Sequence, residues 1–174
     1  MKKLITILAI GAIFTSCKNE NKDANSEMNS EVMTPAETPQ NEMENAANID
    51  ITPISHATAV ITWGDDVFYT DPVGGAAGFE GKEKPEFILI TDIHQDHMDA
   101  ETLKAMQLGD TKIIVPKAVQ EQLPQELQKN LVVMNNGDSQ DFMGFNITAI
   151  PMYNLPESAD AMHTKGRGNG YVLE

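Results

Sequence analysis

Cysteine and long apolar runs are both scarce in this sequence. Cys17 is the only cysteine among 174 residues, so the chain cannot form an internal disulfide. The apolar run at the start, residues 4–14, is shorter than the roughly 20 residues that a membrane-spanning helix needs. The sequence therefore excludes a fold that is cross-linked by its own disulfides, and it predicts no spanning helix.

Basic residues are scarce as well. The chain has 12 Lys and Arg against 26 Asp and Glu, which gives a formal net charge of −14 and a pI near 4.5. Binding to nucleic acid requires a basic face that releases counterions from the phosphates. The same charge argues against attachment to anionic lipid through a polybasic patch. We expect no nucleic acid among the partners.

The N-terminus has the pattern of an export signal. Two lysines precede the apolar run of residues 4–14, and the small residues Thr15 and Ser16 precede Cys17. This arrangement resembles the lipobox of bacterial lipoproteins, in which the cysteine is lipidated; the alternative is an ordinary cleaved signal with an incidental cysteine. We expect residues 1–17 to be a lipoprotein signal, so that the exported protein is anchored in the cell envelope by lipid at Cys17.

A polar segment follows the signal. Residues 18–48 carry an acidic excess and no sustained apolar period, so they cannot bury enough surface to offset the entropy lost on ordering. We expect them to form a disordered acidic tether rather than a polar helix. Structured patterns begin near Ile49, and we expect residues 49–174 to belong to a single domain.

The patterns in residues 49–174 predict an α/β (α+β) fold. Two β-branched segments, Thr58–Trp63 and 67–70, flank a Gly-Asp-Asp turn and predict a hairpin. The continuous apolar run EFILIT, residues 86–91, is typical of a strand that is buried on both faces. Strands alternate with helices afterwards, which indicates a sandwich of sheets and helices. The further predicted strands are 112–115, 131–134, 145–152 and 170–173; the predicted helices are 100–107, capped by Asp99, and 117–128, kinked at Pro124.

Ionisable side chains gather directly after the EFILIT strand, where residues 92–97 include Asp92, His94, Asp96 and His97. Such groups are costly to bury unless something pairs with them, and a divalent metal would do so. Imidazole and carboxylate suit zinc, iron or manganese. In an extended chain Asp92, His94 and Asp96 would point the same way. The alternative is a polar loop that only caps the next helix.

This segment, T-D-I-H-Q-D-H, resembles the T-H-x-H-x-D-H signature of the metallo-β-lactamase superfamily. Residues 55–58, 69–73, 150–154 and 163–171 are similar to its ascorbate-6-phosphate-lactonase-like branch. The resemblance covers the chain from about Ile51 to its end. It implies an αββα sandwich with one or two divalent metal ions, most often zinc, at the edge of the paired sheets. It also implies further ligands beyond Glu174, so we expect a C-terminally truncated chain that holds the first half of the domain.

The resemblance implies how the ligands are divided. Asp92 and His94, with a later histidine, would bind the first metal, and Asp96 and His97 would bind the second. Asp96 would also be the catalytic residue that orients the metal-bound hydroxide, which the metal makes available near neutral pH. The family usually has histidine where this chain has Asp92. An anionic, harder ligand could favour manganese or iron over zinc there, or leave the first site weak.

Five further residues are candidates for roles around the metals. His163 is the expected third ligand because it is the only histidine after the loop and lies in a Gly-rich connection. Asn154 is its competitor, since many relatives have histidine there. His56, near Asp71 in the predicted fold, is expected to have a structural role as a hydrogen-bonded histidine in the core rather than to support a ligand. Arg167 or Lys165, in or beside the GRGNG segment, is a weaker candidate for binding an anionic group.

These features predict a metal-dependent hydrolase that cleaves an ester, lactone, amide or phosphoester bond in a small-molecule substrate. The alternative is a non-catalytic, membrane-anchored lipoprotein that keeps the fold and binds a metal or a small ligand.

Overall fold

The computed structural model describes residues 48–174; the predicted signal, the lipobox at Cys17 and nearly all of the predicted tether lie outside the described residues. No helix in the described part is long and apolar enough to cross a membrane. The strands are β1 (Ile49–Ser55), β2 (Thr58–Trp63), β3 (Asp66–Thr70), β4 (Phe87–Leu89), β5 (Lys112–Val115), β6 (Leu131–Val133), β7 (Ser139–Phe142), β8 (Phe145–Met152) and β9 (Gly168–Leu173). The α-helices are α1 (Ala100–Ala105) and α2 (Lys117–Gln120), and 3-10 helices span Ala76–Phe79 and Gln125–Asn130.

The strands of residues 48–174 form two sheets. The first contains β1 to β6 in sequence order, and the second contains β7, β8 and β9. In the first sheet β1, β2 and β3 are antiparallel, whereas β3, β4, β5 and β6 are parallel to one another. The second sheet is antiparallel throughout. Because β3 and β4 are parallel, their C-terminal ends lie at the same edge of the first sheet.

Strand β4 separates two apolar cores. Successive side chains of a strand point to opposite faces. Ile88 and Ile90 pack in a core that includes Leu103 of α1, whereas Phe87 and Leu89 pack against side chains of the second sheet. These four side chains, of β4 and of the residue that follows it, are all buried, as expected for EFILIT. The described part therefore has helices, first sheet and second sheet as successive layers, which confirms the predicted mixed α/β architecture.

The predicted helix over 117–128 is wrong. Helix α2 ends after four residues, and a separate 3-10 helix begins after Pro124. The residue before a proline is disfavoured in the helical region, and proline has no N–H to donate. Pro124 thus ends the first helix completely instead of kinking it. The cap predicted for the other helix is confirmed, since the Asp99 carboxylate accepts the N–H groups of Glu101 and Thr102 at 3.0 and 3.2 Å.

Strand β7 was not predicted from the pattern. Three of its four residues are exposed, so it has no alternation of buried and exposed positions. It is recognised only by its pairing with β8, in which Gln140 lies opposite Ile147. The predicted strand at 170–173 also begins earlier than expected, at Gly168.

The core between the sheets can be tested at Phe87, whose side chain is completely buried. Its ring stacks on Phe68 at 4.9 Å and meets the edges of Phe142 and Phe145 at 5.7 and 5.8 Å. Phe87→Ala should lower the free energy of unfolding by about 3–5 kcal/mol, because it leaves a cavity among these rings. Chemical denaturation measures the change. Met143→Ala, at an exposed position, should change it by less than about 0.5 kcal/mol; equal losses would contradict the assignment of the core.

Candidate metal centre

The candidate site lies where the two sheets meet, beyond the ends of β3 and β4. Asp71 follows β3, and Asp92 follows β4 by a few residues. Crevices beyond the carboxyl ends of parallel strands are common ligand sites. Residues 153–167, which connect β8 to β9, bring side chains from the second sheet to the same place. The sheets are tied together there, since the N–H of Asn169 donates to the carbonyl of Thr91 at 2.9 Å.

The first group of the site surrounds the carboxylate of Asp92, whose side chain is 0% exposed. The Nδ1 atom of His94 lies 2.6 Å from Asp92 Oδ2, and the Nε2 atom of His163 lies 3.6 Å from the same oxygen. The two imidazole rings meet edge to face with centroids 4.9 Å apart. One ligand atom from each residue can be chosen so that all lie within 4.8 Å of one another. Asp92, His94 and His163 therefore form a candidate metal site.

Asn154 supports His163 instead of replacing it. Its Oδ1 atom accepts the backbone N–H of His163 at 2.8 Å and lies 3.2 Å from the Nδ1 atom of that ring. The backbone N–H of Asn154 in turn donates to the carbonyl of His163 at 3.0 Å. An Nδ1–H that donates to Asn154 leaves the Nε2 lone pair directed toward Asp92, which is how hydrogen bonds orient metal-binding histidines. Of the two predicted candidates, the structure places His163 beside Asp92 and His94.

The second group consists of His97 and Asp96. The Nε2 atom of His97 lies 3.7 Å from Asp96 Oδ2, and its Nδ1 atom lies 2.8 Å from Asp71 Oδ2. Asp71 is buried and also accepts the N–H and the hydroxyl of Thr91 at 2.7 and 2.6 Å. The hydrogen bond that His97 donates to Asp71 raises the pKa of His97, although partial burial lowers it. The negative charges of Asp71, Asp96 and Asp92 also raise it.

The extended conformation expected for residues 92–96 is wrong, because the chain already turns after His94. The N–H groups of His97 and Met98 both donate to the carbonyl of His94, at 2.9 and 2.8 Å, so the chain makes a tight turn there. The turn separates the side chains: Asp96 does not join the group around Asp92, and its side chain is 54% exposed. In residues 48–174 the five predicted ligands thus form a group of three and a neighbouring pair.

Arg167 has a different role from the one expected. Its Nε and Nη2 atoms donate to Oδ1 and Oδ2 of Asp92 at 3.1 and 3.2 Å, and Nη2 also donates to the carbonyl of Met162. The guanidinium thus binds a carboxylate of the protein itself. Lys165 is paired with Glu157 at 3.1 Å. The prediction that either cation is free to bind an anionic group is therefore not supported for these residues.

Two other expectations are corrected. His56 is exposed in the turn between β1 and β2, so the structural role expected for it in the core is wrong. Part of the GRGNG segment is a strand and not a loop. Gly168 begins β9, and a Cβ atom there would lie 2.9 Å from the carbonyl oxygen of Thr91 and 3.3 Å from Asp92 Oδ1. This glycine permits close approach of the two sheets.

Two sets of contacts were not predicted from the sequence: the support of His97 by Asp71 and Thr91, and the pairing of Arg167 with Asp92. A signal for Asp71 is present in the sequence, since an acidic residue follows each of two neighbouring parallel strands. No sequence signal pairs Arg167 with Asp92, because the two are 75 positions apart and come from different sheets.

The donor sets agree with the needs of a divalent transition metal. Ligand atoms about 2.1 Å from one tetrahedrally coordinated ion lie about 3.4 Å apart. The separations of 3.6 Å between His163 and Asp92 and of 3.7 Å between His97 and Asp96 are close to that value. The separation of 2.6 Å between His94 and Asp92 is that of a direct hydrogen bond, and a shared ion would need these two atoms to move apart slightly.

The family model for the beta-lactamase superfamily domain matches residues 50–174. The chain belongs to the beta-lactamase superfamily. The resemblance drawn from residues 91–97 is thus confirmed for the superfamily, and the lactonase-like branch stays a prediction. No curated protein shows significant similarity to the chain.

Solved structures of two metallo-hydrolases and of a diiron enzyme share the superfamily fold. A protein from Parabacteroides distasonis, provisionally named a metal-dependent hydrolase, is 30% identical, with a TM-score of 0.61 over 72% of this chain and 56% of that one. Igni18, a metallo hydrolase from Ignicoccus hospitalis, is 18% identical, with a TM-score of 0.56 over 72% and 55%. CmlA, a diiron β-hydroxylase from Streptomyces venezuelae, is 23% identical, with a TM-score of 0.53 over 74% and 28%. The last two show a common fold alone, and this chain spans about half the length of the first two.

The contact between His97 and Asp71 predicts that the stability of the metal-free protein depends on pH. The NMR titration midpoint of His97 should lie above the ordinary histidine value of about 6.5. Because the folded-state pKa is raised, the pair stabilises the fold fully below the unfolded pKa, and this stabilisation is lost as the pH rises through the folded pKa. Asp71→Asn should lower the midpoint more than Asp96→Asn, since Asp71 is the main cause of the shift; the reverse order would contradict this account.

The contact at Gly168 predicts that a methyl group there disturbs the junction of the sheets. Gly168→Ala should lower the free energy of unfolding by about 1–3 kcal/mol, because backbone and a carboxylate lie beside the new Cβ. Gly170→Ala in the same strand is the control, since its Cβ would meet mainly the exposed side chain of Ile150, which can move. Chemical denaturation that found the larger loss at Gly170 would refute the proposed close approach.

Proposed function

We propose that this protein is a metal-dependent hydrolase that uses a metal-activated water to cleave an ester, lactone, amide or phosphoester bond of a small-molecule substrate. The observation that carries the proposal is the fully buried carboxylate of Asp92, with Nδ1 of His94 and Nε2 of His163 beside it. Membership of the beta-lactamase superfamily and the metallo-hydrolase neighbours support it.

The ligands are divided between two positions in this proposal. Asp92, His94 and His163 would hold a first ion, and Asp96 and His97 would hold a second. When bound, a divalent ion supplies Lewis acidity and lowers the pKa of a bound water to about 7, which provides a nucleophile at neutral pH. Zinc fits a set of imidazoles and carboxylates well, and the anionic ligand Asp92 leaves manganese or iron as alternatives.

Hydrogen bonds to neighbouring residues fix the orientation of the candidate ligands. Asp71 and Asn154 accept hydrogen bonds from Nδ1 of His97 and of His163, so the opposite nitrogen of each ring faces the site. Orientation by such contacts reduces the reorganisation that metal binding requires. Asp96 is the group of the site with the greatest access to solvent among those that could act on water. We assign it the role of accepting a hydrogen bond from the attacking water and so orienting it.

We further propose that the protein acts outside the cytoplasm as a lipoprotein. Lipid at Cys17 would anchor it in the cell envelope, and residues 18–48 would be the tether between the anchor and the domain. The position of Cys17 after an apolar run and two small residues supports the anchor. The net charge of −14 supports attachment by lipid rather than by a basic surface, and it disfavours nucleic acid as a partner.

Metal content and hydrolysis, measured on the same purified protein, test the enzyme proposal. We expect stoichiometric transition metal by elemental analysis, and hydrolysis of at least one member of a panel of chromogenic esters, lactones, amides and phosphodiesters. Chelation should abolish the hydrolysis, and zinc or manganese should restore it. His94→Ala and His163→Ala should each lower metal content and lower the rate of hydrolysis about 100-fold or more. The reason is that the two ligands left in the first group do not hold the ion in place.

His56→Ala is the matched control, since it removes a histidine whose side chain is exposed in the turn between β1 and β2 and is not part of the Asp92/His94/His163 group. It should leave metal content and rate unchanged. Stoichiometric metal without hydrolysis across the panel would favour the alternative function, a lipoprotein that only binds a metal or a small ligand. Absence of metal, or equal rates in the ligand variants, would overturn the proposal.

A further inference from the structure

The carboxylate of Asp92 is paired with a positively charged side chain, Arg167, in addition to the two histidines. Arg167 donates to both of its oxygens, in the two-pronged geometry in which guanidinium binds carboxylate. The Asp92 side chain is 0% exposed and that of Arg167 is 22% exposed. Solvent therefore screens this pair far less than it would screen a surface ion pair.

Arg167 is held in this position by its own segment of chain. Its Nη2 atom also donates to the carbonyl of Met162, the residue before His163. Its backbone N–H donates to the carbonyl of Thr164 at 3.3 Å, and the following residue, Gly168, is packed against the carbonyl of Thr91. The guanidinium is thus fixed by the same connection that presents His163, so it is part of the built site rather than a surface side chain that happens to reach it.

The charges explain what Arg167 changes. With neutral imidazoles, Asp92 contributes −1 to the first group and Arg167 contributes +1, so the group has no net charge. A carboxylate has about four lone-pair positions, and Arg167 takes one on each oxygen, which leaves Oδ2 able to bind a further cation. A divalent ion at this position would nevertheless lie close to a fixed positive charge, and the two would repel each other.

We propose that Arg167 sets the metal affinity of the first site. The positive charge of Arg167 offsets the negative charge of Asp92. The Asp92/His94/His163 group therefore binds a divalent ion more weakly than it would without Arg167. Arg167 is a positioning and affinity-determining residue in this view, not a ligand. The inference rests on the proposed function, in that it requires the group to bind a divalent ion.

The experiment measures equilibrium binding of Zn²⁺ and of Mn²⁺, each alone, to the metal-stripped protein by competition with a chromogenic chelator. Arg167→Gln removes the charge and keeps a donor; because the repulsion between the guanidinium and the ion is lost, it should tighten binding at the first site about 10-fold or more. Arg167→Lys keeps the charge and loses the two-pronged contact, and it should stay within about threefold of the unmodified protein. Lys165→Gln removes a nearby cation that is paired with Glu157, and it should have no effect.

If orientation of Asp92 mattered more than charge, both Arg167 variants would bind metal more weakly, and the inference would be overturned. Unchanged affinity in Arg167→Gln would overturn it as well. Adding His94→Ala to each protein assigns the measured binding to the first site. If His94→Ala abolishes metal binding but Arg167→Gln leaves the affinity unchanged, only this inference is overturned. If His94→Ala changes metal binding in none of the proteins, the proposed function is overturned as well.

A second pair of variants covers the case in which Arg167→Gln does not fold. Asp92→His leaves Arg167 without its partner and gives the group a net positive charge, so it should bind Zn²⁺ about 10-fold more weakly or worse. Asp92→His combined with Arg167→Gln restores a neutral group and should recover the affinity. Circular dichroism and thermal unfolding confirm folding of each variant. Equal affinity of the single and the double variant would contradict the role of charge.

Discussion

The structure depends on one buried carboxylate and on the groups that make its burial tolerable. An isolated ionised carboxylate is very costly to remove from water, so it persists inside a protein only with partners. Asp92 has three partners. His94 comes from the same loop, and His163 and Arg167 come from the connection between β8 and β9. The site therefore exists only because the second sheet packs on the first, and its charge helps to fix the junction at which they meet.

Support for the histidines follows one principle on both sides of the site. His97 and His163 each direct Nδ1 to an oxygen, that of Asp71 in one case and that of Asn154 in the other. The opposite nitrogen then faces the other candidate ligands with its lone pair, so the ring orientation is set before any ion arrives. Both supports come from positions at or near the ends of strands, where the backbone is held by the sheets. The precision of the site thus derives from the fold and not from the loops alone.

At position 92 this chain has an aspartate where the superfamily usually has a histidine. An aspartate in place of the usual histidine adds a negative charge, and Arg167 brings a positive one to the same two oxygens. The pair keeps the group neutral, as three imidazoles would. Membership of the beta-lactamase superfamily accounts for the sandwich and for the place of the site. In the proposed function, the choice of metal and the affinity for it would depend on local charges such as those of Asp92 and Arg167.

The sequence by itself determined the class of fold and the identity of most candidate ligands, because these follow from local patterns: the EFILIT run, the polar residues after it and the periodicity of the strands. Only the tertiary structure decided that His163 and not Asn154 lies beside Asp92, and that Asp71 supports His97. The tight turn after His94 and the close approach at Gly168 were likewise settled by packing. The physical reason is that these are contacts between residues far apart in the chain, which depend on how the sheets meet, whereas a pattern in the sequence reports only on near neighbours.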